Sequence, residues 1–299
     1  MVKIYIKILK GQILSKILVA HSPDADDIFM YYALFYGWVG SKNIRFSNVA
    51  LDIETLNKGA LECKYPISAI SFGAYPFIKD NYALLNTAMS FGNGYGPKII
   101  KRKGVSLKRH FKVALSGAYT TNAMIFKMRY KDAKIVYKNF LDIESAVLKG
   151  EVDAGVLIHE SILDFSDELE VEAHLWDIWV DLARESLPLP LGGMAILRSI
   201  PLLRAIECQK LLTCAVRVAV NNKKILSKML QGKVRVDESA LETYLNMYAN
   251  NESIALNETQ IRALNRLFEM GFEAGIYKDL ICAEDYLIPA EYEKLRFHP

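Results

Sequence analysis

Val156-Leu157-Ile158-His159-Glu160-Ser161 is the stretch on which the reading of this chain turns. The apolar run Val152 to Ile158 has the length and composition of a buried strand. It follows a segment with helical signals that stops at Lys149-Gly150, a pairing that ends helices well. Helix followed by buried strand is the grammar of an α/β sheet. His159 then stands just past the carboxyl end of that strand, the edge at which open α/β sheets bind ligands. Histidine is also the side chain best matched to proton transfer near neutral pH. A lone histidine is more often a hydrogen-bonded structural residue, and spacing by itself leaves both readings standing.

Upstream, Ile13 to Ala20 reads as a first strand. The turn His21-Ser22-Pro23-Asp24-Ala25-Asp26-Asp27 opens a helix over Ile28 to Tyr36, with Asp26 or Asp27 as its cap. Ile44 to Leu51 is a second strand. Asp52-Ile53-Glu54 then starts a helix reaching Lys58-Gly59, and a strand from Ile67 to Ile70 leads to Ser71. Asp142-Ile143-Glu144 starts a second such unit, ending at His159. Two similar lobes, or chance, would both produce this echo.

Two breaks organise the rest. Phe91-Gly92-Asn93-Gly94-Tyr95-Gly96-Pro97 precedes a strand over Lys98 to Lys101, and Pro188-Leu189-Pro190-Leu191-Gly192-Gly193 precedes another over Met194 to Leu197. A chain that leaves one lobe and returns to it has this pattern. Residues 98–192 are then an inserted lobe, and 1–97 with 193–299 the larger one. Beyond residue 200 the chain reads as helical scaffold. Asn257 with Gln260 forms a capping box, and Ile261, Leu264, Leu267, Phe268 and Phe272 share a helical face.

Composition narrows the function. The 299 residues are 52% hydrophobic and 24% charged, ordinary for a globular protein and enough for two domains. A net charge of +3 is too small to indicate nucleic acid. The basic run Lys98, Lys101, Arg102, Lys103, Lys108 and Arg109 lacks interleaved stacking aromatics and reads as a solvated connector. Cys63, Cys208, Cys214 and Cys282 form no C-x-x-C pair, and are expected as reduced, mostly buried thiols. There is no run of eighteen apolar residues to span a membrane. Lys3, Lys7 and Lys10 break any signal-peptide core, and the alternation from Val2 to Ile8 suits an exposed strand. These features point to the cytoplasm.

Several constellations carry chemistry. Gly92-x-Gly94-x-Gly96 lacks the third glycine of a dinucleotide fingerprint, and a strand follows it where a helix is needed. Asp24, Asp26 and Asp27 are read as helix capping rather than metal ligation, because no histidine or second carboxylate cluster accompanies them. Phe111 to Leu115 is a strand, and Ser116 to Asn122 turns into a helix towards Tyr130. The free N–H groups of that helix start, with Thr120 and Thr121, make an anion pocket or a simple N-cap. Ser71 offers a hydroxyl at another strand end. His21 is a second candidate for the same cleft, whereas His110, His174 and His298 lie in polar or terminal contexts.

The motifs His21-Ser22-Pro23-x-x-x-Asp27-x-Phe29, Asp52 to Asn57, Ala69-Ile70-Ser71-Phe72-x-Ala74-Tyr75, Gly94 to Pro97, Thr120-Thr121, Ile158 to Ser161 and Leu187 to Gly192 occur in this order. Together they resemble the 1,4-dihydroxy-6-naphthoate synthase family of the futalosine route to menaquinone, from about residue 16 onward. The resemblance implies a two-lobed α/β fold like a type II periplasmic binding protein, with a cleft between lobes. It implies a lyase acting on cyclic dehypoxanthine futalosine without a cofactor or metal. His159 would be the base, with Ala69, Ile70, Ser71, Thr121 and Asn122 binding substrate. The family often has a small residue where this chain has Asn122. The implied partner is a small molecule, with no nucleic acid or membrane, and the oligomeric state, a homodimer included, stays open. The alternatives are a solute-binding protein of the same fold and the chorismate dehydratase of the same pathway.

Overall fold

The computed structural model describes residues 6–9, 12–231, 234 and 237–292. Its strands fall into two sheets. The first holds β1 (Ile6–Leu9), β2 (Gln12–His21), β3 (Ile44–Ala50), β4 (Ile67–Ser71), β5 (Tyr82–Leu84) and β6 (Ser90–Gly92). The second holds β7 (Lys98–Arg102), β8 (Lys112–Leu115), β9 (Lys134–Tyr137), β10 (Ala154–Leu157) and β11 (Leu169–His174). The chain then returns to the first sheet through β12 (Leu189–Leu197). Two sheets in two lobes agree with the α/β, two-lobed fold expected from the sequence.

Continuous apolar runs became central strands. All five residues of β4 and all four of β10 are buried, because helices cover both faces of such strands. β2 pairs in parallel with β3 and β4, and β10 in parallel with β8, so these strands deliver their carboxyl ends to one edge of each sheet. The helices are α1 (Ala25–Phe35), α2 (Ile53–Leu61), α3 (Tyr75–Ile78), α4 (Thr121–Arg129), α5 (Phe140–Leu148), α6 (Leu175–Ala183), α7 (Leu202–Asn221), α8 (Lys223–Leu230), α9 (Glu238–Tyr248) and α10 (Glu258–Glu273). Asn257 and Gln260 form the expected capping box on α10.

Several expectations need correction. Pro188 to Gly193 is no break: Leu189 onward is strand, with Gly192 opposite Ser71 of β4 and Leu189 opposite Gly92 of β6. Pro190 is tolerated within the strand because the register is irregular between Pro190 and Gly192. The second helix unit is capped by Asn139, not begun by Asp142, which lies inside α5. Phe272 is exposed, and Gly271 takes its place on the buried face of α10 because the Tyr277 ring lies against it. Only Cys208 of the four free cysteines is buried. Half of the basic run is strand with paired cations: Lys101 meets Glu172 at 2.6 Å, and Arg102 donates to the Val147 carbonyl. Of the N-terminal alternation, residues 6–9 pair with β2 as strand, and Val2 to Tyr5 lie outside the described residues. No helix among the described residues is long and apolar enough to cross a membrane.

Candidate active site

The carboxyl ends of β2, β4 and β10 and the start of α4 meet at one cavity of about 730 Å³, counting the space at its mouth. Ala69, Ile70, Ser71, Thr121, Asn122 and His159 all line it, so the sequence-predicted residues are brought together. Ser22, Asp24, Asp26, Asp27, Tyr244 and Tyr248 line it too.

His159 begins a short 3-10 turn after β10, with a left-handed backbone at φ 55°. A β-carbon makes that conformation costly, on the order of 1–3 kcal/mol, so the surroundings must hold it. Its Nδ1 lies 2.7 Å from Asp24 Oδ2. Burial alone would push the imidazole pKa down, but the Asp24 carboxylate, with Glu160 and Asp26 behind it, outweighs burial and raises it to about 9. The ordinary value is 6.5. The contact with Asp24 therefore favours the protonated imidazole.

The remaining acids do not share one role. Asp26 Oδ1 accepts from the Tyr244 hydroxyl at 3.1 Å, and Asp27 Oδ2 from the Ser22 N–H at 2.7 Å. Burial, reinforced by the neighbouring Asp24, raises the Asp26 pKa to about 7. Burial and Asp26 push Asp27 well above the usual carboxylate range, and burial and Asp24 push Glu160 up. Several carboxyls in one dry pocket cannot all ionise, so most of them hold protons. The capping expected of Asp26 or Asp27 is not observed. Asp24 occupies the N-cap position of α1, and its side chain makes no capping bond.

Ser71 is held by a residue that sequence reasoning left without a role. The Asn57 amide donates to Ser71 Oγ at 3.0 Å and accepts the Ser71 N–H at 2.8 Å. With an accepted bond already on Oγ, the Ser71 hydroxyl proton is free for the cavity. At α4, Thr120 is the N-cap, accepting from the Ala123 N–H. The Thr121 hydroxyl is committed elsewhere: it accepts from the Gly73 N–H and donates to the Leu191 carbonyl, both at 2.9 Å. Gly73 permits this approach, since a Cβ there would meet the Thr121 backbone at 3.0 Å. Asn122 Oδ1 is buried without a partner among the described residues.

His21 does not face the cleft. It is buried, with Nδ1 on the Ser22 carbonyl at 2.7 Å, Nε2 receiving the Asn48 amide, and its ring near Tyr31. Burial lowers its pKa, so it is a neutral structural histidine. The C-terminal helices are not mere scaffold either, because α9 supplies Tyr244 and Tyr248 to the cavity wall. No local signal marked these tyrosines, which look like ordinary helix-core residues.

Two lobes of α/β architecture around a cavity in which a half-buried histidine meets a buried carboxylate define a small-molecule site equipped for acid–base chemistry. The fold is that of the periplasmic binding proteins. A Candida albicans protein described as having the generic periplasmic binding protein structural fold superposes with a TM-score of 0.65 at 8% identity, covering 94% of this chain and 99% of that one. A family described as menaquinone biosynthesis matches residues 17–273, and this chain belongs to it. The chain is 29% identical over 257 residues to the 1,4-dihydroxy-6-naphthoate synthase of Thermus thermophilus, covering 85% of this chain and 93% of that protein. A crystal structure of an Archaeoglobus fulgidus protein is similar as well, with a TM-score of 0.79 and 35% identity, covering 87% of this chain and 98% of that one.

Proposed function

We propose that this chain is a lyase of menaquinone biosynthesis that converts cyclic dehypoxanthine futalosine to 1,4-dihydroxy-6-naphthoate, with His159 as the base. The observation that carries the reading is His159 on the wall of the cavity, with Nδ1 fixed and Nε2 left to act, in a chain of this family. The base removes a proton from the cyclised substrate. Fragmentation then releases the ribose-derived part, and formation of the aromatic naphthoate drives the reaction forward. Since its Asp24 partner favours the protonated imidazole, the reactive fraction grows with pH, with its midpoint at about 9.

Binding falls to Ala69, Ile70, Ser71, Thr121 and Asn122. The Ser71 hydroxyl donates to substrate, the unpartnered Asn122 amide oxygen receives a substrate donor, and the backbone at the α4 start takes a negative group. The Thr121 hydroxyl contributes indirectly by tying α4 to β12. Residues 98–192 and the remainder are the bodies that close over substrate, with residues 189–192 already part of the first sheet. The enzyme works in the cytoplasm on a small molecule.

Incubation with cyclic dehypoxanthine futalosine followed by mass spectrometry tests the assignment. Appearance of 1,4-dihydroxy-6-naphthoate supports it. Tight binding without turnover would make the protein a solute binder, and turnover of chorismate instead would make it the dehydratase.

A further inference from the structure

Two pairs of adjacent residues face each other across the cleft. Asp24 and Ala25 stand where β2 enters α1, in the first lobe, and His159 and Glu160 follow β10 in the second. Asp24 Oδ2 lies 2.7 Å from His159 Nδ1, and Glu160 Oε1 accepts the Ala25 N–H at 2.8 Å. The two contacts are thus made side by side.

Asp24 has the residue type, position and extended backbone of a helix N-cap, at φ −76° and ψ 157°. A side chain so placed normally accepts from the second or third N–H of its own helix. Here it does not, and the first-turn N–H of Ala25 is served by Glu160 from the opposite lobe. Asp24 is 2% exposed, and its Oδ1 is buried without a partner among the described residues. The N–H groups of its own helix are the alternative partners of an acid in that position.

We propose that Asp24 is the positioning residue for His159 and that it changes partners with lobe closure, capping α1 when the lobes are apart and orienting His159 when Glu160 takes over the cap. Closure and assembly of the base then become one event, and a form with its lobes apart lacks a competent histidine. The proposal rests on His159 being the base. Around the imidazole stand Asp24, Asp26 and Asp27 from the first lobe and Glu160 from its own turn, with Tyr244 of α9 hydrogen-bonded to Asp26 behind them and the Phe140 ring at 5.0 Å.

The test follows the His159 ring signals by NMR across pH in ligand-free protein, which reads the pairing whether or not the enzyme makes naphthoate. The wild-type midpoint is expected near 9, and Asp24→Asn should lower it. Glu160→Ala removes the borrowed cap, so Asp24 returns to α1 and the midpoint should fall although Asp24 is intact. Glu160→Gln keeps an acceptor for Ala25 and should hold the midpoint well above that of Glu160→Ala. In turnover assays, Asp24→Asn and Glu160→Ala should lower kcat by more than they raise KM. An unmoved midpoint in Asp24→Asn overturns the pairing. Equal midpoints in Glu160→Ala and Glu160→Gln overturn the exchange of caps, since the effect is then one of charge. A wild-type protein that yields no naphthoate, with these shifts intact, would instead sink the assignment of function.

Discussion

Asp26→Asn separates a buried acid from its charge with little change in shape. Asp26 is 7% exposed, and its carboxyl accepts from Tyr244, a bond that the asparagine oxygen can keep. Burial raises its pKa from 3.8 to about 7. A group whose folded pKa lies above its unfolded one contributes stability that is fully present below the unfolded value and is lost as pH rises through the folded value. The unfolded chain releases this proton from about pH 4, while the folded chain retains it to about 7. Over that interval of about three pH units, at 1.36 kcal/mol each, the wild type loses on the order of 4 kcal/mol that the variant keeps. At pH 4 the two proteins should melt within about a degree or two of each other. Approaching pH 7 the variant should gain on the wild type by roughly 8–16 °C, at about 2–4 °C per kcal/mol for a chain of this size class. Calorimetric melts of both proteins from pH 4 to 8 measure the difference. A difference that does not change with pH would refute the argument, because a lost contact or altered packing has no reason to follow the titration of an acid.

Other consequences are equally direct. His159→Asn should fold and bind but lose roughly 10²–10⁴-fold in turnover, and wild-type kcat/KM should climb with pH through a midpoint near 9; an active variant, or a plateau reached by pH 6.5, would remove His159 as the base. Thr121→Val leaves the Gly73 N–H and Leu191 carbonyl unpaired, so chemical denaturation should show a loss of about 2–4 kcal/mol, two bonds at roughly 1–2 kcal/mol each; unchanged stability would mean that the hydroxyl is not the tie it looks to be. Gly117→Ala places a Cβ within 2.2 Å of Glu54 Oε2, which reaches from α2 of the first lobe to the Tyr119 N–H of the second. The added methyl should hinder closure and raise KM more than it lowers kcat in steady-state assays. An unaltered KM would show that the lobes need not meet there.

What the sequence determined by itself is local or patterned. The apolar runs at Ile67–Ile70 and Val152–Ile158 supplied the fully buried strands β4 and β10 because short continuous hydrophobic stretches suit the centre of a covered sheet. The stop at Lys149-Gly150, the box at Asn257 and Gln260, and the address of His159 were legible because capping and strand-end chemistry act within a few residues. The ordered motifs were enough to indicate the family. Contacts between distant segments were not legible. Asp24 and Glu160 lie on opposite lobes, and nothing near Asp24 in sequence shows that its carboxylate forgoes its own helix for His159. Nothing near Thr121 in sequence shows that its hydroxyl bonds to Gly73 and Leu191, while His21 looked like a cleft residue and proved buried against Tyr31. Tyr244 sits on an amphipathic helix like any core residue, and its bond to Asp26 spans 218 positions. The tertiary structure alone decided these matters, because burial, electrostatic coupling and hydrogen-bond choice depend on separation in space, and folding makes neighbours of residues that the chain keeps far apart.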